Sequence, residues 1–168
     1  MNARNEAPRC RTPGLWWGIA AVVAVLDQGL KYAIEQLSVL GTLLTVSPFF
    51  NLVHARNTGA AFSFLAEAGG WQRYLFVAIA LVVAMALILM LRRARPWHEA
   101  LGYSLILGGA VGNLIDRSAR GYVVDYLDFH YQGWYWPAFN LADITIVGGA
   151  LLLMGGSLVK PPMQVGRP

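Results

Sequence analysis

Four long apolar stretches separated by shorter polar links run along the chain. The stretches lie at about residues 15–34, 74–91, 97–115 and 141–159. As helices, stretches of this length approach or match the roughly 30 Å of hydrocarbon in a bilayer. Because no polar stretch is long enough to form a separate soluble domain, the pattern predicts a single membrane-embedded domain over residues 1–168. We therefore expect an α-helical integral membrane protein with four transmembrane helices.

The first apolar stretch follows a tail that contains several arginines, an arrangement also found in cleavable signal peptides. The apolar run from Leu15 to Leu26 continues, however, through Asp27, Gln28 and Lys31 into further apolar residues. We therefore interpret it as a retained first span whose far end carries polar residues with a chemical role.

Two of the polar links have compositions that indicate where they lie. The link over about 40–62 is rich in Thr, Val and Phe, which favours a small β-sheet over a helix. The link over about 118–138 is crowded with aromatic residues: Tyr122, Tyr126, Phe129, Tyr131, Trp134, Tyr135 and Trp136. Because aromatic rings with a polar edge favour the boundary between lipid and water, we expect both links to lie on the membrane surface.

The composition agrees with a membrane protein. The chain of 168 residues is 57% hydrophobic and 13% charged, with a mean hydropathy of +0.49, whereas about 25% of the residues of a soluble domain are charged. The net charge of +4 does not indicate nucleic-acid binding, because the basic residues do not form a patch with aromatic residues. The single cysteine, Cys10, excludes an internal disulfide and a cluster of thiolate metal ligands.

The distribution of basic residues predicts the orientation of the four spans. Three groups of basic residues fall on one side of the membrane when the spans are threaded: Arg4, Arg9, Arg11, Arg92, Arg93, Arg95, Lys160 and Arg167. Lys and Arg are enriched in the cytoplasmic segments of membrane proteins. We therefore expect both termini in the cytoplasm and the links at 40–62 and 118–138 on the outer face.

Polar residues inside the predicted spans come in pairs. Each pair is spaced by three or four residues, which places its members on one helix face: Asp27 with Lys31, Asn113 with Arg117, and Asn140 with Asp143. In the threaded chain all three pairs lie at one depth, just inside the outer surface. Because polar groups in a bilayer are costly, their gathering at one level predicts a built site.

Each pair also has a structural interpretation. Asp27 and Lys31 could form a helix-stabilising ion pair, Arg117 could reach toward the surface or join a polar network, and the asparagines could satisfy partners on neighbouring helices. Asp143 is harder to explain in this way, because it lies two residues into an apolar run with no basic residue within a turn. A helix N-terminus would stabilise its charge. Asp143 is therefore a candidate for a functional role.

A partner for Asp143 must come from the outer links. The candidates are Asp116, Asp125, Asp128, Glu35 and Glu67. We expect Asp116 to pair with the adjacent Arg117, and we interpret Asp128 and Glu67 as ordinary loop residues. Asp125 is flanked by apolar residues that would dock at the membrane surface, so it can meet Asp143 from the opposite side.

Two carboxylates in one site favour acid–base catalysis. They cannot both ionise comfortably, so that one keeps a proton while the other acts as a base. Such a pair can take a proton from water and donate one to the leaving nitrogen of a peptide bond. A metal site is not indicated, because there is no HExxH motif and the histidines His54, His98 and His130 are scattered.

Other functions remain open at this point. A small transporter subunit could use Asp125 and Asp143 as a proton or cation relay, although a relay favours polar groups spread across the membrane depth. A hydrolase acting on lipid head groups would need a metal or phosphate-binding cluster. The glycine-rich run at 108–112 has no preceding strand, so helix packing explains it better than a dinucleotide loop.

Five segments of the chain resemble the bacterial lipoprotein signal peptidase family, also called signal peptidase II. They cover residues 27–31, 57–63, 108–117, 123–126 and 139–143, in this order. The resemblance implies a four-span aspartic peptidase of the bacterial inner membrane, with both termini cytoplasmic and the active site near the extracytoplasmic surface. It implies no cofactor. The expected partners are membrane lipids and the substrate, and we expect a monomer.

The resemblance also assigns roles to particular residues. The two family aspartates fall on Asp125 and Asp143. Residues implied to shape the site or bind substrate are Asn57, Gly59, Gly108, Asn113, Arg117, Asn140, Asp27 and Lys31, the last two holding its floor. The implied substrate is a prolipoprotein, cleaved just before a cysteine that carries diacylglycerol. Ile144 stands where the family often has serine, which puts one nearby hydrogen bond in doubt.

The two outer links acquire specific roles from the same resemblance. The link at 40–62 is similar to the family's small extracytoplasmic sheet, and the aromatic link at 118–138 is similar to its surface helix. A dyad that acts on a lipid-anchored cysteine must open toward the bilayer, because acyl chains leave lipid at about 0.8 kcal/mol per CH₂. We therefore expect the segment at 122–136 to act as a flap that gates the site.

Overall fold

The computed structural model describes residues 9–10, 13–59 and 70–158, with side chains described over 13–59 and 70–156. Several predictions therefore lie outside the described residues. They concern the rest of both tails, the side chain of Cys10, the end of the expected sheet at 60–62, and Glu67.

Four helices occupy the four apolar stretches. They are α1 (Pro13–Leu37), α2 (Gln72–Leu91), α3 (Trp97–Ala119) and α4 (Leu141–Leu158). α3 ends four residues later than expected, so that Arg117 lies within the helix. By length and composition α1 and α2 can each cross a bilayer, and α4 contains a shorter apolar stretch, Leu141–Gly156.

The lipid-facing character of α2 follows from its side chains. Among its exposed residues are Ile79, Leu81, Val82, Met85 and Leu89. A soluble protein rarely exposes such a continuous apolar surface. Aliphatic side chains that face outward along a whole helix fit hydrocarbon as the surrounding solvent.

α3 is the central helix, and its glycines explain how closely its neighbours approach. A Cβ on Gly108 would lie 2.6 Å from the Cβ of Val23 on α1, and a Cβ on Gly109 would lie 2.6 Å from Oγ1 of Thr145 on α4. Neither side has room for a methyl group. The glycine-rich run is thus a helix-packing surface, as predicted, and small residues allow this contact where lipid supplies no hydrophobic drive.

The remaining elements are short strands. β1 (Arg9–Cys10) pairs with β4 (Arg95–Pro96) near the start of α3. The second sheet is antiparallel, with strand order β2–β3–β5–β6. Its strands are β2 (Leu43–Ser47), β3 (Phe50–Asn57), β5 (Val123–Tyr131) and β6 (Trp134–Tyr135).

The sheet predicted over 40–62 is present in the described part of that range, as β2 and β3. The prediction of a surface helix at 118–138 is wrong. Most of that link forms β5 and β6, joined at Gln132 and Gly133, whose φ angles of 46° and 85° suit a two-residue hairpin turn. β5 pairs with β3 from Phe129 to Val123. Movement of the whole segment 122–136 as a gate would require this pairing to break, and the gate stays a prediction.

Candidate active site

Asp125 is the third residue of β5, opposite Ala55 of β3. Its side chain is 2% exposed and accepts two hydrogen bonds from amide groups. Asn57 Nδ2 donates to Oδ2 at 3.0 Å, and Asn140 Nδ2 donates to Oδ1 at 2.6 Å. The carboxyl is therefore held from two sides, by the end of β3 and by the residue before α4.

Asp143 lies in the first turn of α4 and forms a reciprocal cap with Asn140. The backbone N–H of Asp143 donates to Asn140 Oδ1 at 3.1 Å, and the backbone N–H of Asn140 donates to Asp143 Oδ2 at 3.3 Å. This is the capping-box arrangement, which satisfies N–H groups that a helix start leaves free. Asn113 of α3 adds a hydrogen bond from Nδ2 to Asp143 Oδ1 at 3.0 Å.

Asn140 thus contacts both aspartates, and both line one cavity. The cavity encloses about 600 Å³ and is also lined by Asn57, Asn113 and Arg117. The polar groups lie at one end of it. Five of the residues predicted for the site are therefore brought to one surface.

The proton affinity of Asp125 follows from its surroundings. Burial first, and next the negative charge of Asp143, raise the pKa of Asp125 to about 6, against the two amide donors that favour ionisation. An ordinary aspartate has a pKa of 3.8. Asp125 can therefore hold a proton much closer to neutral pH than an exposed aspartate does.

A buried cluster of charged side chains contacts Asn113. Lys31 is fully buried, and its Nζ lies 2.7 Å from Asp27 Oδ2, 2.7 Å from Asp116 Oδ2 and 2.9 Å from Asn113 Oδ1. The predicted pair of Asp27 and Lys31 is confirmed. The expected pair of Asp116 with Arg117 is wrong, because Asp116 points from α3 toward Lys31 and Arg120 instead.

The cluster also fixes the start of α4. Asp27 Oδ1 accepts the backbone N–H of Ala142 at 2.9 Å, so that α1 holds the turn that carries Asp143. Lys31 Nζ donates to the side-chain oxygen Oδ1 of Asn113. The NH₂ group of Asn113 therefore points the other way and donates to Asp143. Breaking such a buried pair leaves an uncompensated charge. Asp27 and Lys31 therefore contact the groups that hold Asp143, through Ala142 and Asn113.

Arg117 lines the cavity and is held by Gly59. Arg117 Nη2 donates to the carbonyl oxygen of Gly59 at 2.9 Å, and its guanidinium lies 5.2 Å from the ring centre of Phe76. The backbone N–H of Gly59 donates to Asn57 Oδ1 at 3.0 Å. This fixes which end of the Asn57 amide points at Asp125.

Gly108 does not join this group, because it lies at the contact between α1 and α3. Sequence reasoning also missed two buried polar residues of β5. Asp128 is not a loop residue; it is buried and accepts a hydrogen bond from Asn51 at 2.8 Å. Tyr126 accepts the backbone N–H of Leu141 at 3.1 Å, and burial raises its pKa to about 12. No sequence motif marked Asp128, and Tyr126 lies within the resembling segment 123–126 but had no role assigned to it.

The rest of the cavity is apolar. One wall is the segment 136–139. Another wall runs along α4 and is formed by Ile144, Ile146, Val147, Gly148 and Leu151. Ile144 is 46% exposed and Leu151 62% exposed, so this wall opens at the side of the bundle. Ile144, where serine was expected, continues the apolar surface next to Asp143.

Fold and site together describe a membrane-embedded enzyme with paired carboxyl groups at one end of an apolar cavity. Comparison with known proteins narrows this class. Residues 19–159 match the family model described as signal peptidase (SPase) II. A lipoprotein signal peptidase of Serratia marcescens is 55% identical over 84% of this chain and 83% of its own. One of Salmonella newport is 45% identical over 92% and 95%.

Solved structures agree with these matches. One, titled as a bacterial membrane enzyme structure determined by the in meso method at 2.3 Å resolution, is 30% identical, with a TM-score of 0.81 over 96% of this chain and 100% of that one. The chain belongs to the signal peptidase II family. It is therefore a peptidase, which decides against the transporter and lipid head-group hydrolase alternatives.

Proposed function

We propose that Asp125 and Asp143 are the catalytic carboxyl groups with which this signal peptidase removes signal peptides from prolipoproteins, cleaving just before the diacylglyceryl-modified cysteine. One observation carries the proposal. Asn140 hydrogen-bonds both aspartates at the polar end of an otherwise apolar cavity. A lipid-modified peptide needs such a combination, with acid–base groups at one end and an apolar surface beside them.

Paired carboxyl groups suit hydrolysis because one can donate a proton while the other accepts one. Burial and the nearby charge of Asp143 raise the pKa of Asp125 to about 6, so Asp125 can hold the proton of the pair. In the reaction that we propose, Asp125 donates this proton and Asp143 accepts a proton from the attacking water. The water oxygen bonds to the carbonyl carbon while Asp125 protonates the carbonyl oxygen. The C–N bond then breaks as the proton held by Asp143 passes to the leaving nitrogen, and the carbonyl oxygen returns its proton to Asp125.

The surrounding residues position these groups. Asn57 and Asn140 orient Asp125, and Asn113 orients Asp143. Two further groups complete the site: Arg117 with Gly59 forms the rim, and Asp27 with Lys31 forms the floor. We assign Gly108 an indirect role, in which its lack of a side chain lets α1 approach α3.

The apolar wall of α4 is our candidate surface for the diacylglyceryl group. From Asp143 to Leu151 the helix advances eight residues, or about 12 Å at 1.5 Å per residue. This wall opens laterally, so acyl chains can remain within hydrocarbon while the cysteine reaches the aspartates. Keeping them there avoids about 0.8 kcal/mol per CH₂.

We further propose a four-span monomer in the bacterial inner membrane, without a cofactor. Both termini are cytoplasmic, and the two aspartates lie near the extracytoplasmic surface. The support is that two basic residues, Arg92 and Arg93, directly follow the end of α2. Basic residues are enriched in the cytoplasmic segments of membrane proteins. The aromatic hairpin of β5 and β6 then lies at the outer lipid–water boundary.

Substitution of each aspartate tests the mechanism. In Asp125→Asn and Asp143→Asn the side chain keeps its shape but cannot act as acid or base, so we expect cleavage of a diacylglyceryl-modified prolipoprotein to fall by at least about a hundredfold. Asp128→Asn is the matched control, since Asp128 is a buried aspartate of the same strand outside the cavity. It should remain active. Near-normal cleavage by either of the first two variants, folded in detergent, would refute the mechanism.

A further inference from the structure

A second apolar cavity lies toward the end of the helix bundle opposite the two aspartates. It encloses about 330 Å³ and is lined by small or aliphatic side chains: Ala20, Ala21, Ala24, Ile88, Leu107 and Val111. α3 packs closely against both α1 and α2, whereas α1 and α2 contact each other sparsely. The cavity is therefore the groove that remains where these two helices diverge over α3, and we name it the α1–α2 groove.

Two residues of a different kind also line this groove. Arg92 directly follows the last residue of α2, and Trp17 lies near the start of α1. Both are exposed. Because α1 and α2 run in opposite directions, these two helix ends lie on the same side of the bundle. The groove thus has a cation and an indole ring at its mouth and hydrocarbon along its length.

Arg92 also differs from most other described arginines in its contacts. Those with a partner are Arg56 over the Tyr122 ring, Arg73 on the Ser118 carbonyl, Arg95 with Glu99, Arg117 on the Gly59 carbonyl, and Arg120 with Asp116 and Glu35. Within the part of the chain that the structure describes, the guanidinium of Arg92 has no hydrogen bond or ion pair. The charge of Arg92 is therefore not neutralised by another described side chain, and it lies at the mouth of an apolar groove.

We propose that the α1–α2 groove binds one anionic phospholipid, with its phosphate on Arg92 and one acyl chain along the alanines of α1. A guanidinium can hold phosphate through two parallel hydrogen bonds. Basic residues at the ends of transmembrane helices attract anionic head groups, and Trp favours the same depth. Both features occur together at this mouth.

The dimensions of the groove fit the part of a lipid nearest its head group. From Trp17 to Ala24 helix α1 advances seven residues, which is about 10 Å at 1.5 Å per residue. This is about a third of the hydrocarbon thickness of a bilayer. The alanines matter because larger side chains at these positions would fill the space between the helices.

The lipid belongs to the cytoplasmic leaflet, and this statement rests on the proposed orientation of the spans. The contact itself does not involve the aspartates. Failure of one proposal can therefore be distinguished from failure of the other. If Asp125→Asn abolishes cleavage but still retains the lipid, the groove is independent of catalysis, as proposed.

Native mass spectrometry of the full chain in neutral detergent tests the groove. The probes are dioleoyl phosphatidylglycerol and dioleoyl phosphatidylcholine, which share acyl chains and differ in net charge. We expect wild type to retain one phosphatidylglycerol in preference to phosphatidylcholine. Arg92→Gln should weaken this binding about fivefold, the factor that corresponds to about 1 kcal/mol per basic residue. Ala21→Leu should weaken it similarly by filling the groove.

Two matched variants separate a specific site from general attraction. Arg93→Gln removes the adjacent exposed charge, and Ala86→Leu enlarges an exposed alanine of α2; neither residue lines the groove. Both should retain the lipid as wild type does. Equal loss in Arg93→Gln would reduce the effect to diffuse charge and overturn the proposal. Full retention in Ala21→Leu, or equal retention of both lipids by wild type, would overturn it as well.

Discussion

Asn140 combines structural and chemical roles in one side chain. Its carbonyl oxygen caps α4 by accepting the N–H of Asp143, and its NH₂ group donates to Asp125. The same amide therefore sets where the helix begins and how far apart the two carboxyl groups lie. Separating these roles requires a substitution that keeps one and removes the other.

Asn140→Ser and Asn140→Ala make this separation. Serine also caps helices but is too short to keep the 2.6 Å bond to Asp125, whereas alanine loses both functions. We expect both variants to lose most cleavage and the stability that the buried bond to Asp125 supplies, and Asn140→Ala to be a further about 1 kcal/mol less stable than Asn140→Ser because it also loses the cap. Cleavage assays and unfolding in detergent measure the two effects. Normal cleavage by Asn140→Ser would show that the bond to Asp125 is dispensable.

The raised pKa of Asp125 predicts a pH dependence of stability. The folded state binds this proton more tightly than the unfolded chain, because the pKa rises from 3.8 to about 6 on folding. The stability contribution is complete below the unfolded value and is lost as pH rises through about 6. At 1.36 kcal/mol per pKa unit, the loss amounts to about 3 kcal/mol.

Asp125→Asn cannot ionise and should not show this decline. We therefore expect its unfolding free energy to exceed that of wild type by up to about 3 kcal/mol near neutral pH, with the difference vanishing toward about pH 4. Denaturant unfolding across this pH range measures it. A constant difference between the two proteins at every pH would mean that Asp125 does not titrate as described.

At the scale of elements, the helices could be predicted and β5 could not. Apolar runs long enough to span a bilayer leave little choice but a helix, because every backbone group must be paired within the segment. β5 lacks the alternation of exposed and buried residues that marks a strand. Val123, Val124, Asp125 and Tyr126 are all buried, since this strand is covered on both faces. Its pairing partner β3 is also distant in sequence.

The same distinction holds for the candidate site. Pairs on one helix, such as Asp27 with Lys31, follow from spacing alone. Contacts between elements do not, because the partner of Asp116 depends on how α3 is rotated against α1. Asp128 was missed for a similar reason, since only the register of β3 and β5 brings Asn51 to it.

The contact between α3 and α4 gives a prediction for an element. A Cβ on Gly109 would press on the Ala142 carbonyl and on Thr145 Oγ1. We expect Gly109→Ala to lose about 1–3 kcal/mol of stability and to lose cleavage, because it displaces the turn that carries Asp143. Gly155→Ala on α4 is the control, since a Cβ there meets nothing within 4 Å. Equal behaviour of the two variants would contradict the argument.

The two candidate carboxyl groups and the Arg92–Arg93 pair lie at opposite ends of the whole molecule. Both candidate carboxyl groups, the sheet and the aromatic hairpin lie at one end of the bundle. Arg92 and Arg93 lie at the other, where α2 leads into α3. The positive-inside tendency then predicts an orientation in which the aspartates face outward. A peptidase that acts on exported prolipoproteins needs this arrangement, because its substrates arrive at the outer surface.

This orientation can be measured with single cysteines. In a Cys10→Ser background, Gln132→Cys places a thiol at the exposed tip of the β5–β6 hairpin, and Arg93→Cys places one between α2 and α3. On intact spheroplasts, a membrane-impermeant maleimide should label Gln132→Cys but not Arg93→Cys, and permeabilisation should make both reactive. Cleavage activity in each variant controls for folding. If Arg93→Cys were labelled from outside while Gln132→Cys was protected, the chain would be inverted and the aspartates would face the cytoplasm.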